Sequence, residues 1–178
     1  MFATILVPIM LLTPGVQGRD EQVLRSFTQS VERYAALHRE ALESVPRELC
    51  GGPEEMESTR SLLDSEIRRL RPNAREGEIF TRDVGALIRT RVEAAVRAAG
   101  WVPPDPEVGA SGRPIRRVAE VNSAYSSYFG THPWSVFRAL PPLPEDLEYR
   151  FVGRDLVLLD VTANLVVDVL REAIGGDQ

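Results

Sequence analysis

The sequence predicts an α+β fold: a three-helix N-terminal half packed with a small C-terminal three-stranded antiparallel meander. Three observations predict it. Apolar residues recur at helical spacing between residues 20 and 100. The period drops to two after Leu147. Two turn signals then divide the C-terminal stretch into short apolar runs.

The first eighteen residues, MFATILVPIMLLTPGVQG, stand apart from this pattern. An apolar run from Phe2 to Leu12 leads into Thr13-Pro14-Gly15 and then Val16-Gln17-Gly18. This is the layout of a secretory signal peptide, with small residues at the −3 and −1 positions of a cleavage site between Gly18 and Arg19. The run is too short to span a bilayer, which needs about 20 apolar residues. Pro8 and Pro14 suit a signal better than a core helix. The expectation is a removed segment 1–18 and a periplasmic or secreted domain 19–178. That domain has a helical part 20–100, a loop 101–115 and a sheet part 116–171.

In the helical part, Leu24, Phe27, Val31, Tyr34, Leu37/His38, Ala41/Leu42 and Val45 fall at spacings of three and four. They make one stripe of a helix that Pro46 stops. Pro53 sits well as the first residue of a second helix. There Met56, Leu63, Ile67 and Leu70 share a face, and Arg71-Pro72 ends it. Thr81 is the expected N-cap of a third helix, with Asp83 in its first turn. Val84, Leu87/Ile88, Val92, Ala95 and Ala99 line its inner face, and Gly100 is placed as the C′ residue.

Residues 101–115 (WVPPDPEVGASGRPI) read as a loop. A short strand is expected at Arg116–Val121, followed by a tight segment with Asn122, Tyr125, Tyr128 and Phe129. Pro133–Leu140 reads as one or two helical turns, and Pro141-Pro142-Leu143-Pro144 as extended chain. Leu147, Tyr149 and Phe151 then alternate with Glu148 and Arg150. Gly153-Arg154 is a two-residue turn suited to type II′. DLVLLD (155–160) and LVVDVL (165–170) come next, separated by Thr162-Ala163-Asn164. The sheet is expected to have one apolar face, covered by the helices.

Composition narrows the function classes. About 160 residues make one domain, large enough to fold without a metal or disulfide. All 21 basic residues are Arg, and the net charge is −5. A mildly acidic domain argues against nucleic acid as a partner, which requires a basic face. No second segment is apolar enough to be transmembrane. Cys50 is alone, so only an intermolecular disulfide is open to it, and Gly51-Gly52-Pro53 places it in a loop.

Three segments carry a resemblance: Tyr34-Ala35-Ala36-Leu37-His38-Arg39, Ala74-Arg75-Glu76-Gly77-Glu78-Ile79-Phe80, and Leu140 to Leu170. With these, the chain resembles a family of small uncharacterised exported bacterial proteins with no assigned activity. The last segment is also similar to the C-terminal meander of periplasmic proteins of nickel and cobalt homeostasis, through its aromatic-Gly-Asp-aliphatic spacing. It departs at Thr162-Ala163-Asn164, where those proteins tend to have a Thr-Gly turn. The similarity is one of sheet design and brings no metal site with it.

Catalytic motifs are absent from the sequence. There is no G-x-S-x-G, and ASGRP (110–114) lacks the strand and helix of a nucleophile elbow. There is no H-E-x-x-H, C-x-x-C or calcium loop, so no metal or cofactor is expected. His38 and His132 are the only histidines. The first is expected to pack at the edge of its helix stripe and the second to cap a turn. Asp160 and Asp168 interrupt apolar strands and are expected on the solvent side of the sheet. Arg68, Arg69, Arg71 and Arg75 form the most suggestive surface. If the second helix continued, Arg68, Arg71 and Arg75 would share a face able to hold an anionic group by bidentate contacts. Glu66, Glu76 and Glu78 lie close and favour a salt-bridged face instead.

The leading expectation is therefore a non-enzymatic interaction or accessory module of the cell envelope, with an envelope protein or anionic envelope component as partner. Arg71, Arg75, Glu76, Phe80, Asn122 and Tyr125 are its candidate binding residues. The alternative is a periplasmic hydrolase whose site brings His38, as base, together with Glu120 and Tyr125.

Overall fold

In the computed structural model, residues 14–46, 52–101, 119–125 and 134–175 are described. The expectations placed on the run before Pro14, on Cys50, on 102–118, and on Tyr128, Phe129 and His132 lie outside the described residues.

The element order is α1 (Pro14–Ser44), α2 (Pro53–Leu70), α3 (Arg82–Ala99), a single turn α4 (Trp134–Phe137), then β1 (Leu147–Val152), β2 (Asp155–Asp160) and β3 (Leu165–Leu170). The strands form one antiparallel sheet in the order β1-β2-β3. The α+β arrangement is as the sequence predicts. The first helix begins earlier than the expected residue 20, and Gly18 and Arg19 are exposed positions on it.

The helix ends obey local chemistry. At the start of α2 the Glu55 carboxylate accepts the Gly52 N–H at 2.8 Å, satisfying a donor that the helix leaves orphaned. Helix α3 stops at Gly100, whose φ of 58° lets the Trp101 N–H reach back to the Val96 carbonyl at 3.2 Å. That is a Schellman closure, and a side chain there would strain the backbone. Thr81 occupies the N-cap position of α3 but its hydroxyl makes no capping bond.

Phe27, Val31, Tyr34, Ala41, Leu63, Ile67, Val84, Ile88 and Val92 from the helices meet Phe151, Leu156, Leu158, Leu165 and Leu170 from the sheet in one core. Gly85 permits this approach: a Cβ there would lie 2.8 Å from Leu170 Cδ1. Three residues of the expected stripes are instead outside, among them Ala99 at the end of α3. Met56 is 64% and Leu42 is 44% exposed, because Leu63, Ile67 and Ala41 complete those faces.

The sheet differs from expectation in having two buried faces. Val152, Val157, Val166 and Val169 form a second cluster with Ala119, packed by Val121 and Tyr125. Both faces of β2 and β3 are apolar in sequence, so both require a cover. The strand expected at Arg116–Val121 is not seen in its described part; residues 119–125 instead form turns with one bridge, Ala124 to Leu165.

The β2–β3 register slips between Leu158 and Leu159. Leu158 pairs with Asp168 and Leu159 with Val166, so Val167 is the extra residue of a bulge. A one-residue slip reverses the facing of every strand residue beyond it. It turns Asp168 and Leu170 to the same side as Leu156 and Leu158. Asp160 and Asp168 are fully buried, contrary to the solvent-facing expectation.

Candidate functional site

Two polar centres sit inside this apolar body. The first joins α1 to the far end of β2. Tyr34 and His38 are one helical turn apart and so share a face. Both point at Asp160, in phase with Leu156 and Leu158 on the inner side of its strand. The Tyr34 hydroxyl donates to Asp160 Oδ2 at 2.8 Å, and His38 Nδ1 lies 2.6 Å from the same oxygen. Asp160 Oδ1 accepts the Ala163 N–H at 2.9 Å, within the turn that leads to β3. An ionised carboxylate only accepts, so His38 Nδ1 carries the hydrogen of their bond. His38 Nε2 faces Asp146 Oδ2 at 3.9 Å.

This placement sets the electrostatics. The hydrogen bond to Asp160 raises the His38 pKa; burial opposes it, and the charges of Asp160 and Asp146 add to it. Burial pushes the Tyr34 hydroxyl far up, and the Asp160 charge pushes it further, so it stays a donor. Arg71 covers the Tyr34 ring, its guanidinium carbon 5.3 Å from the ring centre.

The second centre is Asp168 in the bulge. Its Oδ1 accepts the N–H groups of Gly77 and Val169, each at 2.8 Å. Its Oδ2 accepts Ile79 at 2.7 Å and Phe80 at 2.8 Å. Burial raises the pKa of this carboxyl, and the four amide donors pull it back. Beside it, Arg71 Nη1 and Nη2 both donate at 3.1 Å to the Val167 carbonyl, and Nη2 also reaches Glu78 at 3.2 Å.

The candidate residues read from the sequence are thus dispersed. Arg71 is the C-cap residue just past α2, so it does not share a helix face with Arg68 and Arg75. Its side chain is 9% exposed and both of its terminal nitrogens are engaged. Arg68 pairs with Asp64 and Arg69 with Glu66, while Arg75 is exposed. Glu76 pairs with Arg171, which also holds Asp155 and the Ala119 carbonyl. Phe80 is buried and stacks on Phe27 with ring centres 6.3 Å apart. Asn122, at a φ of 59°, donates from Nδ2 to the Arg71 carbonyl at 3.2 Å. Tyr125 packs on the second cluster, its hydroxyl pKa raised by burial, and its carbonyl accepts Asn164 Nδ2.

The structure does not bring His38 together with Glu120 and Tyr125. Glu120 is exposed, and Tyr125 covers the opposite sheet face from the one that Asp160 joins. Sequence reasoning missed Tyr34 and Asp146 as parts of the first centre, and it placed Asp160 and Asp168 on the solvent side. The available signal was an aspartate in phase with inward leucines, as in Leu156, Leu158 and Asp160.

Chemically, the first centre is a buried imidazole–carboxylate pair whose second ring nitrogen faces Asp146. His38 is 2% exposed and Asp160 fully buried. Among the described residues, no hydroxyl or thiol nucleophile bonds to His38, and no three His, Cys, Asp or Glu side chains are grouped to hold a metal ion. No described helix is long and apolar enough to cross a membrane. No protein-family model, no curated protein and no solved structure matches the chain.

Proposed function

We propose that this is an exported protein of the cell envelope that acts as a non-enzymatic interaction or accessory module. The observation that carries the reading is the enclosure of His38. Its Nδ1 is committed to Asp160 at 2.6 Å, and its ring is 2% exposed, so no substrate reaches it. The buried polar groups brace the fold: Asp160 ties α1 to the sheet, and Asp168 ties the segment before α3 to β3. Export is supported by the signal-like sequence of residues 1–18.

The test is recovery of the C-terminally tagged chain from fractionated bacterial cells, with its N-terminus determined. Arg19 at the N-terminus in the periplasmic or secreted fraction is expected. An intact Met1 on protein confined to the cell interior overturns the reading.

The hydrolase alternative has one observation in its favour, the His38–Asp160 pair itself, which has the spacing of a base and its orienter. Labelling by an active-site-directed fluorophosphonate, lost in His38→Gln, would establish it. The enclosure of His38 predicts no labelling.

A further inference from the structure

The sheet has two edges, and they are treated differently. The β3 edge is covered: Asn122 N–H donates to the Val166 carbonyl at 2.9 Å, Val166 N–H to the Ser123 carbonyl at 2.9 Å, and Arg71 takes the Val167 carbonyl. The β1 edge borders a groove of about 470 Å³ whose other wall is Phe137, Leu140, Pro141 and Leu143.

The parity of β1 fixes the groups it presents there. Val152 and Asp155 close a two-residue turn, so they are a hydrogen-bonded pair, as are Arg150–Val157 and Glu148–Leu159. Leu147 and Tyr149 therefore direct their backbone groups outward. Two bonds agree with this: Leu147 N–H donates to the Pro144 carbonyl at 3.0 Å, and the Tyr149 carbonyl accepts Arg150 Nη1 at 3.3 Å. Among the described residues no backbone acceptor meets the Tyr149 N–H. The Glu148 and Arg150 side chains form an ion pair beside it, each 43% exposed.

We propose that β1 pairs antiparallel with β1 of a second copy of this chain, about a two-fold axis at Tyr149. The segment Glu148-Tyr149-Arg150 is complementary to itself when reversed. Tyr149 then exchanges two backbone hydrogen bonds with the partner's Tyr149. Glu148 comes opposite the partner's Arg150, and Arg150 opposite the partner's Glu148, as an isologous contact requires. The groove supplies the room: three residues of strand, ~10 Å long, ~4.8 Å from the next strand and ~10 Å through the sheet, fill ~480 Å³. A contact this small makes a weak dimer.

Sedimentation of the whole folded chain between about 1 µM and 1 mM tests this, a range set by weak association. A monomer–dimer equilibrium is expected. Arg150→Glu places two acidic pairs across the axis and should raise the dissociation constant at least about tenfold. Glu148→Arg combined with Arg150→Glu restores opposite charges and should return the constant to within about threefold of the original. Exchange of the Tyr149 amide hydrogen should slow as concentration rises. Monomer throughout the range overturns the proposal. So does a dimer indifferent to Arg150→Glu, one that the double exchange does not restore, or one that leaves Tyr149 exchange unchanged. Thermal unfolding of each variant separates lost pairing from lost fold.

Discussion

His38 and Asp160 are 122 positions apart in sequence and 2.6 Å apart in space, joining α1 to the last residue of β2. The bond makes the attachment of the longest helix to the sheet sensitive to protonation. The His38 pKa is raised in the folded chain, so the native state holds the proton more tightly than the unfolded state. The stabilisation is complete below the unfolded value of about 6.5 and is lost as pH rises through the folded value. Urea midpoints measured from about pH 5 to pH 9 should fall across that upper window, and His38→Gln should flatten the fall. A profile identical in both proteins would refute this.

Asp168 carries a larger share of local order, because four backbone amides depend on it. Asp168→Ala leaves those donors buried without an acceptor, a loss of about 3 kcal/mol or more in urea unfolding. Asp168→Asn keeps the size but points an amide donor at other donors, and should recover less than half of that loss. Protection of the Ile79 and Phe80 amides from exchange should drop in both variants.

Arg71 is expected to resist conservative replacement. Two of its nitrogens share the carbonyl of the bulge residue Val167, and its guanidinium carbon lies over the Tyr34 ring. A lysine reaches one acceptor at a time and does not stack. Arg71→Lys should therefore cost about 1–2 kcal/mol in chemical denaturation. Arg75→Lys, at an exposed position, should be neutral by the same measurement.

Gly153 sits at a φ of 60° in the β1–β2 turn, while Arg154 is not among the residues with positive φ, the pattern of a type II′ turn. A Cβ at Gly153 would meet nothing within 4 Å, so any cost is backbone strain alone. Gly153→Ala should lower stability by about 1 kcal/mol. Gly153→Asn should cost less than Gly153→Ala, because asparagine is found at positive φ more often than alanine.

The helices and strands were legible because each carries its own periodicity and its own stop. Gly100, Pro53 and Gly153 act on residues beside them, so one-dimensional reading finds them. The polar centres were not legible to the same degree. Asp160 shows its phase within DLVLLD, yet its partners Tyr34 and His38 lie on a helix whose rotation is set by packing. Asp168 stands out of phase with Leu165 in the sequence, and only the bulge at Val167 turns it inward. The run of arginines misled for a related reason. Proline at 72 ends α2, so Arg71 turns away from the face of Arg68 and toward β3. Local charge density said nothing about that.

The staple from Asp168 to Ile79 and Phe80 also orders events in time. Synthesis delivers the helical half first, but its connecting segment has no acceptor until the final strand arrives. Until then, the leucines and valines that face the sheet have only one another. The bonds between distant parts of the chain, His38 to Asp160 among them, form only when the sheet does, and non-local pairing of this kind is slow. A nascent chain halted before β3 should consequently remain open to proteases along its whole length, and release of the last residues should close it in a single step.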